Sequence, residues 1–173
     1  MHWQWLFIFF AIFFSGCSSQ LPNRSVPLSN FIPSNDPTVV FSASECNWYT
    51  LGRVVDGDTI VLQNGEKVRF TGVDAPEDGE KVREKFGTEA TQFVSDALTP
   101  GEKICLISDE IGDKRDKYDR ILAYIFDESG FDVNAEIIRA GLAEYYRSFP
   151  YTRKEEFKNL ERLAKKEKLG QWK

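Results

Sequence analysis

Two dipeptides, Asp56-Gly57 and Asn64-Gly65, divide the stretch from Trp48 to Val73 into three short runs rich in β-branched and aromatic residues. A two-residue turn makes a chain double back on itself, and Asn-Gly between such runs is a strong hairpin signal. Trp48–Val55, Asp58–Gln63 and Glu66–Val73 therefore read as a three-stranded meander. Pro76 lacks an N–H and stops the pairing, and Glu77–Glu84 is polar loop.

Farther along, Phe86, Ala90, Phe93, Val94, Ala97 and Leu98 recur at helical spacing, and Pro100-Gly101 ends that helix. Lys103–Ser108 and Arg120–Phe126 read as fourth and fifth strands around a charged loop, Asp109–Lys117, expected to be solvated. Asn134 is placed to cap a short helix ending at Gly141, and Thr152–Leu169 is a last helix with Gly170 as its stop. The order βββ-α-ββ-α-α predicts an α+β, mainly β fold. Five short strands suit a closed barrel of the oligonucleotide/oligosaccharide-binding (OB) type with about three helices packed outside. A flat α+β sandwich is the alternative.

The chain ahead of the meander differs. Trp3–Phe14 carries no charge, but it is only twelve residues long, against about twenty for a membrane-spanning helix. That length fits the apolar region of an export signal. Small residues and Cys17 follow, which resembles a bacterial lipoprotein signal whose cleavage leaves Cys17 as the lipidated first residue. A plain signal peptide, or an uncleaved anchor with Cys17 incidental, is the other reading. Residues 1–16 are thus expected as signal, 17–44 as a Pro/Ser/Asn-rich tether, and 45–173 as the folded domain. The expected location is a bacterial cell envelope, lipid-anchored or secreted into the periplasm. The membrane contact is the anchor, and no obligate protein partner is implied.

The 173 residues carry a net charge of −5, so no general electrostatic grip on nucleic acid is offered. The charge is segregated, however. Arg147–Lys173 holds nine Lys/Arg against four Asp/Glu, while Glu45–Tyr146 holds twelve against twenty-two. An acidic body suits a cation site and a basic edge suits a polyanion. The one His lies in the signal, which excludes a zinc site of the usual kind and catalysis by a His base. Cys46 and Cys105 remain, a reasonable disulfide in an oxidising compartment, or else two buried thiols.

Three segments could carry chemistry: Val55–Thr59 (VDGDT), Arg69–Glu77 (RFTGVDAPE) and Lys117–Arg120 (KYDR). Asp58 opens one strand and Asp74 closes the strand paired to it, so both carboxylates meet at one rim. A hard, oxygen-seeking cation such as Ca²⁺ suits them together with a backbone carbonyl. Arg69 and Arg120, each a two-pronged donor, suit a phosphodiester near that rim. Glu77 is left as an acceptor for the proton of an attacking water. Each part alone has an ordinary structural reading. Their joint occurrence along one meander raises the functional reading.

These segments resemble the micrococcal (staphylococcal) nuclease family, or thermonucleases. So do Glu84–Ala90, Leu122–Ile125, Val133–Ala135, Gly141–Ala143 and Ala164–Trp172. The resemblance implies a barrel with three helices and Ca²⁺-dependent hydrolysis of DNA and RNA. It assigns Asp58, Asp74 and the backbone carbonyl of Ala75 to calcium, and Arg69, Glu77 and Arg120 to catalysis. Lys117 and Tyr118 match groups that touch a terminal phosphate. The base-stacking tyrosine has no exact match, and Tyr146 or Phe149 stands in. The family's barrel would bring Cys46 and Cys105 side by side. The competing readings are a nuclease-like domain that binds nucleic acid or a protein partner at the envelope without cutting, and a lipoprotein that binds calcium structurally.

Overall fold

The computed structural model describes residues 44–79 and 84–173. The expected signal, Cys17 and all of the tether but Ser44 lie outside the described residues. In chain order the elements are β1 (Asn47–Val54), β2 (Thr59–Leu62), β3 (Lys67–Phe70), β4 (Val73–Asp74), α1 (Gly87–Ala97), β5 (Lys103–Ile107), β6 (Ile121–Phe126), α2 (Val133–Arg139), β7 (Glu144–Tyr145) and α3 (Lys154–Glu167).

The meander is present, with β1, β2 and β3 paired antiparallel in sequence order. Leu51 faces Leu62 and Ile60 faces Val68, so the strand alternation turns these side chains and Phe70 into one buried face. β5 pairs antiparallel with β1 and with β6, and β6 lies parallel to β3. The ring β1-β2-β3-β6-β5 is a closed barrel, which removes unpaired sheet edges. The expected α+β barrel with three helices is what the chain forms.

Several local expectations are corrected. The third strand does not run on to Asp74. Gly72, at φ +77°, turns the chain after Phe70, and β4 leaves the barrel to pair with β7. Asn134 does not cap α2. Asp132 does, its side chain accepting from the Ala135 amide at 3.0 Å. Asn134 is fully buried instead. Its Oδ1 accepts from the Ile125 amide, and its Nδ2 donates to the carbonyls of Thr71 and Ala123. It therefore ties α2 to β6 and to the turn after β3. Lys168 rather than Gly170 takes the left-handed conformation that ends α3.

Asp109, read as solvated loop, is 2% exposed. Its carboxylate accepts from the Tyr124 hydroxyl, from the amides of Ile111 and Gly112, and from the Thr152 amide at 2.8 Å. One carboxylate thus joins the loop after β5, the wall of β6 and the approach to α3. Cys46 and Cys105 are bonded to each other, linking the chain before β1 to the middle of β5.

Candidate active site

The rim is built by the turn between β1 and β2. Gly57 packs where a Cβ would meet the side chains of Ala75 and Ala90 at 2.7 Å each, so the turn lies tight against the start of the loop after β4 and against α1. Asp56 accepts from the Asp58 amide at 3.0 Å and holds the turn closed. Asp58, 6% exposed, accepts from the Thr59 hydroxyl and from the Ala75 amide, both at 2.9 Å.

Arg69 stands opposite Thr59 in the β2–β3 ladder. Its Nη1 is in ion-pair contact with Asp58, and its Nη2 lies 3.5 Å from Asp74 Oδ1. The Nη1 contact is an ion pair without hydrogen-bond alignment. Asp74 is half exposed and comes from β4, not from the strand that carries Arg69. The two carboxylates do meet at one rim, with Arg69 between them.

Burial pushes the Asp58 carboxyl up to about 7, and the neighbouring Asp56 adds to this. Arg69, the Ala75 amide and the Thr59 hydroxyl offset it only in part. A divalent cation is what the family resemblance implies. Two carboxylates gathered on one guanidinium, one of them buried, are an oxygen donor set that fits a hard cation. Among the described residues no group of three or more His, Cys, Asp and Glu gathers as a metal cluster. The family resemblance assigns the backbone carbonyl of Ala75 as a further oxygen ligand.

Among the described residues, none of the other expected side chains forms a hydrogen bond or ion pair with Asp58, Asp74 or Arg69. The Glu77 amide donates to Glu84 Oε2 at 3.1 Å, and its carbonyl accepts from the Glu84 amide at 2.8 Å. Its carboxylate makes no hydrogen bond or ion pair among the described residues and is exposed. Arg120 precedes β6 by one residue, two before Leu122, which lies beside Arg69 in the parallel pair. The strand period puts both arginines on the outer face of the barrel.

Arg120 is held by Asp116, which sequence reading passed over as loop charge. Asp116 Oδ2 accepts from Arg120 Nε and Nη2, each at 2.7 Å. Asp116 Oδ1 accepts from the amides of Tyr118 and Arg120. Burial alone would raise the Asp116 carboxyl, but these bonds hold it below the usual carboxylate range. Asp119, between them, takes a left-handed backbone at φ 63° that turns Arg120 back toward Asp116. Tyr118 is 69% exposed, with Lys117 Nζ 4.9 Å and Arg120 5.5 Å from its ring centre. Tyr146 donates its amide to the Gly72 carbonyl, just before β4, and its ring stacks on Phe149 at 5.7 Å and 22°. Both candidates for a base platform are therefore one stacked pair.

A family model described as staphylococcal nuclease homologue matches residues 67–173. The chain belongs to the staphylococcal nuclease family. The matched stretch contains Arg69, Asp74, Glu77 and Arg120 but begins after Asp58, so Asp58 joins the site through the fold. Endonuclease YhcR of Bacillus subtilis is 35% identical over 135 residues, covering 69% of this chain and 11% of that protein. Endonuclease YncB of Bacillus subtilis is 38% identical over 130 residues, or 71% of this chain and 60% of that one. Protein MJ1439 of Methanocaldococcus jannaschii is 33% identical over 144 residues, 69% of each chain. The chain therefore spans less than two thirds of either Bacillus relative.

Proposed function

We propose that this chain is an exported, Ca²⁺-dependent nuclease that hydrolyses phosphodiester bonds of DNA or RNA, tethered at a bacterial envelope through lipid on Cys17. The observation that carries the catalytic reading is the meeting of Asp58, Asp74 and Arg69 at one rim, with the Asp58 carboxyl buried. The family relationship and the relatives named endonuclease support it.

When bound by Asp58, Asp74 and the Ala75 carbonyl, Ca²⁺ supplies positive charge next to the phosphate oxygens. Arg69 and Arg120 add guanidinium donors where negative charge grows in the transition state. Arg120 gives Nε and Nη2 to Asp116, so Nη1 is the atom left to point at a phosphate oxygen. Glu77, with no partner for its carboxylate among the described residues, accepts the proton of the attacking water. The water oxygen bonds to phosphorus while the opposite ester P–O bond breaks, and the departing oxygen takes a proton from solvent. Lys117 and Tyr118 meet a terminal phosphate, and the Tyr146–Phe149 stack offers a face for a base, which is tolerant of sequence.

The test is incubation of the full chain with DNA and with RNA, with Ca²⁺ and with excess chelator. Cleavage confined to the Ca²⁺ arm is expected. Binding without cleavage in both arms would favour an inactive nucleic-acid-binding domain. Membrane fractionation of Cys17→Ser tests the tether. Release from the membrane is expected, and unchanged fractionation would contradict lipidation.

A further inference from the structure

The proposed site is an acidic rim on an acidic body, and its substrate is a polyanion. The cations that could hold that substrate collect elsewhere. Lys158, Arg162, Lys165 and Lys166 occupy one arc of α3, about 100° wide at 3.6 residues per turn. The buried residues Phe157, Leu160 and Ala164 face away from this arc, into the protein, while Glu161 flanks it beside Lys165. All four cations are exposed, and Lys168 and Lys173 extend the charge past the helix end.

Two of the four have local partners. Lys158 pairs with Glu155 at 3.3 Å, and Lys165 pairs with Glu161 at 2.9 Å. Such exposed pairs hold their charges only weakly. Arg162 and Lys166 form no ion pair among the described residues. The last-turn lysines complement the helix dipole, but Lys158 and Arg162 lie too early in α3 for that to explain the whole stripe. The stripe is not remote from the rim. Arg147 joins Glu144 of β7 to Glu161 of α3, and β7 pairs with β4, which carries Asp74.

We propose that the exposed basic face of α3 is a second, sequence-independent binding surface for the phosphate backbone of duplex DNA, separate from the catalytic rim. From Lys158 to Lys166 the stripe runs about 12 Å along the helix. Duplex DNA offers one negative charge per roughly 1.7 Å of its axis, so several phosphates fall within reach. The surface raises the local concentration of a polymer that the acidic rim would repel. It deepens the nuclease reading but needs no cleavage to be seen.

The experiment uses the full chain in neutral detergent with excess chelator, so that DNA is bound and not cut. Fluorescence anisotropy of a labelled 20-base-pair duplex is followed from 50 to 200 mM salt. The variants are Arg162→Gln/Lys166→Gln and, as a control cation elsewhere, Lys103→Gln. Removing two phosphate contacts should flatten the slope of log affinity against log salt by about 2 and weaken binding roughly tenfold at low salt. Lys103→Gln should leave both unchanged. With Ca²⁺ restored, the double variant should show a raised KM on long duplex and unchanged turnover of a small chromogenic diester. An unchanged salt slope, or equal losses in the double variant and Lys103→Gln, would overturn the proposal. So would loss of binding to phosphatidylglycerol vesicles with DNA binding intact, which would make the face a membrane contact. If DNA binding falls as expected but no variant or wild type cuts, the second surface stands and the nuclease reading fails.

Discussion

Arg69 and Arg120 carry the same charge but are held differently. Arg69 bridges two carboxylates that a cation would also claim, whereas Arg120 is ion-paired to one, Asp116, among the described residues. Replacing either by Lys keeps the charge and loses the planar two-pronged contact. Arg120→Lys should therefore cost about 10²–10³ in turnover, checked by steady-state kinetics at saturating Ca²⁺. Asp74 is the half-exposed member of the pair. Its loss should act on metal affinity, so Asp74→Ala should regain part of its activity as Ca²⁺ is raised, seen as a right-shifted Ca²⁺ activation curve.

Asp109 belongs to the scaffold. Burial works against its charge, but hydrogen bonds from Tyr124 and from the amides of Thr152, Ile111 and Gly112 win and hold the carboxyl below the usual range. Its folded value is depressed, so the stability it contributes is present above the ordinary carboxylate value of about 4 and is lost as pH falls through the folded value. Urea midpoints followed from pH 6 to 2.5 should fall steeply for wild type. Asp109→Asn should start about 3 kcal/mol lower and vary less with pH.

At the level of elements, the meander was legible because its signals are local. Asn64-Gly65 fixes a hairpin, and Leu51, Ile60, Leu62, Val68 and Phe70 alternate at the strand period. The path after Phe70 was not legible. Nothing in Thr71–Asp74 says that its pairing partner is Glu144–Tyr145, some seventy residues on by sequence number, and a long-range pair leaves no local pattern. The same holds for Asn134, whose sequence position suits a cap while its three partners come from β6 and the turn after β3. The residue types of the site could be read in order along the chain. The Asp116 hold on Arg120 could not, because a charged loop reads alike whether its carboxylates face water or a guanidinium. Linking β5 to the chain before β1, the Cys46–Cys105 bond closes a loop with a sequence separation of 59. Reduction should cost roughly 4 kcal/mol in the chain-entropy picture, measured as a lower urea midpoint in dithiothreitol. No change would show that the loop is constrained by other contacts.

At the scale of the whole domain, a closed barrel carries an acidic rim and a basic last helix. The barrel removes free edges and sets the turn between β1 and β2 against α1, which fixes where Asp58 meets Arg69. The function proposed for this rim is hydrolysis of a phosphodiester, with Glu77 as proton acceptor and a bound cation as charge partner. The most direct measurement is the initial rate of DNA cleavage by the full chain for wild type, Glu77→Gln and Glu128→Gln, with Ca²⁺ and with excess chelator. Glu128 is an exposed turn carboxylate after β6 with no role in the site. The expected result is fast cleavage by wild type and Glu128→Gln only when Ca²⁺ is present, with Glu77→Gln slower by about 10²-fold or more while still folded. Equal rates for Glu77→Gln and Glu128→Gln, or undiminished wild-type cleavage in chelator, would contradict the claim.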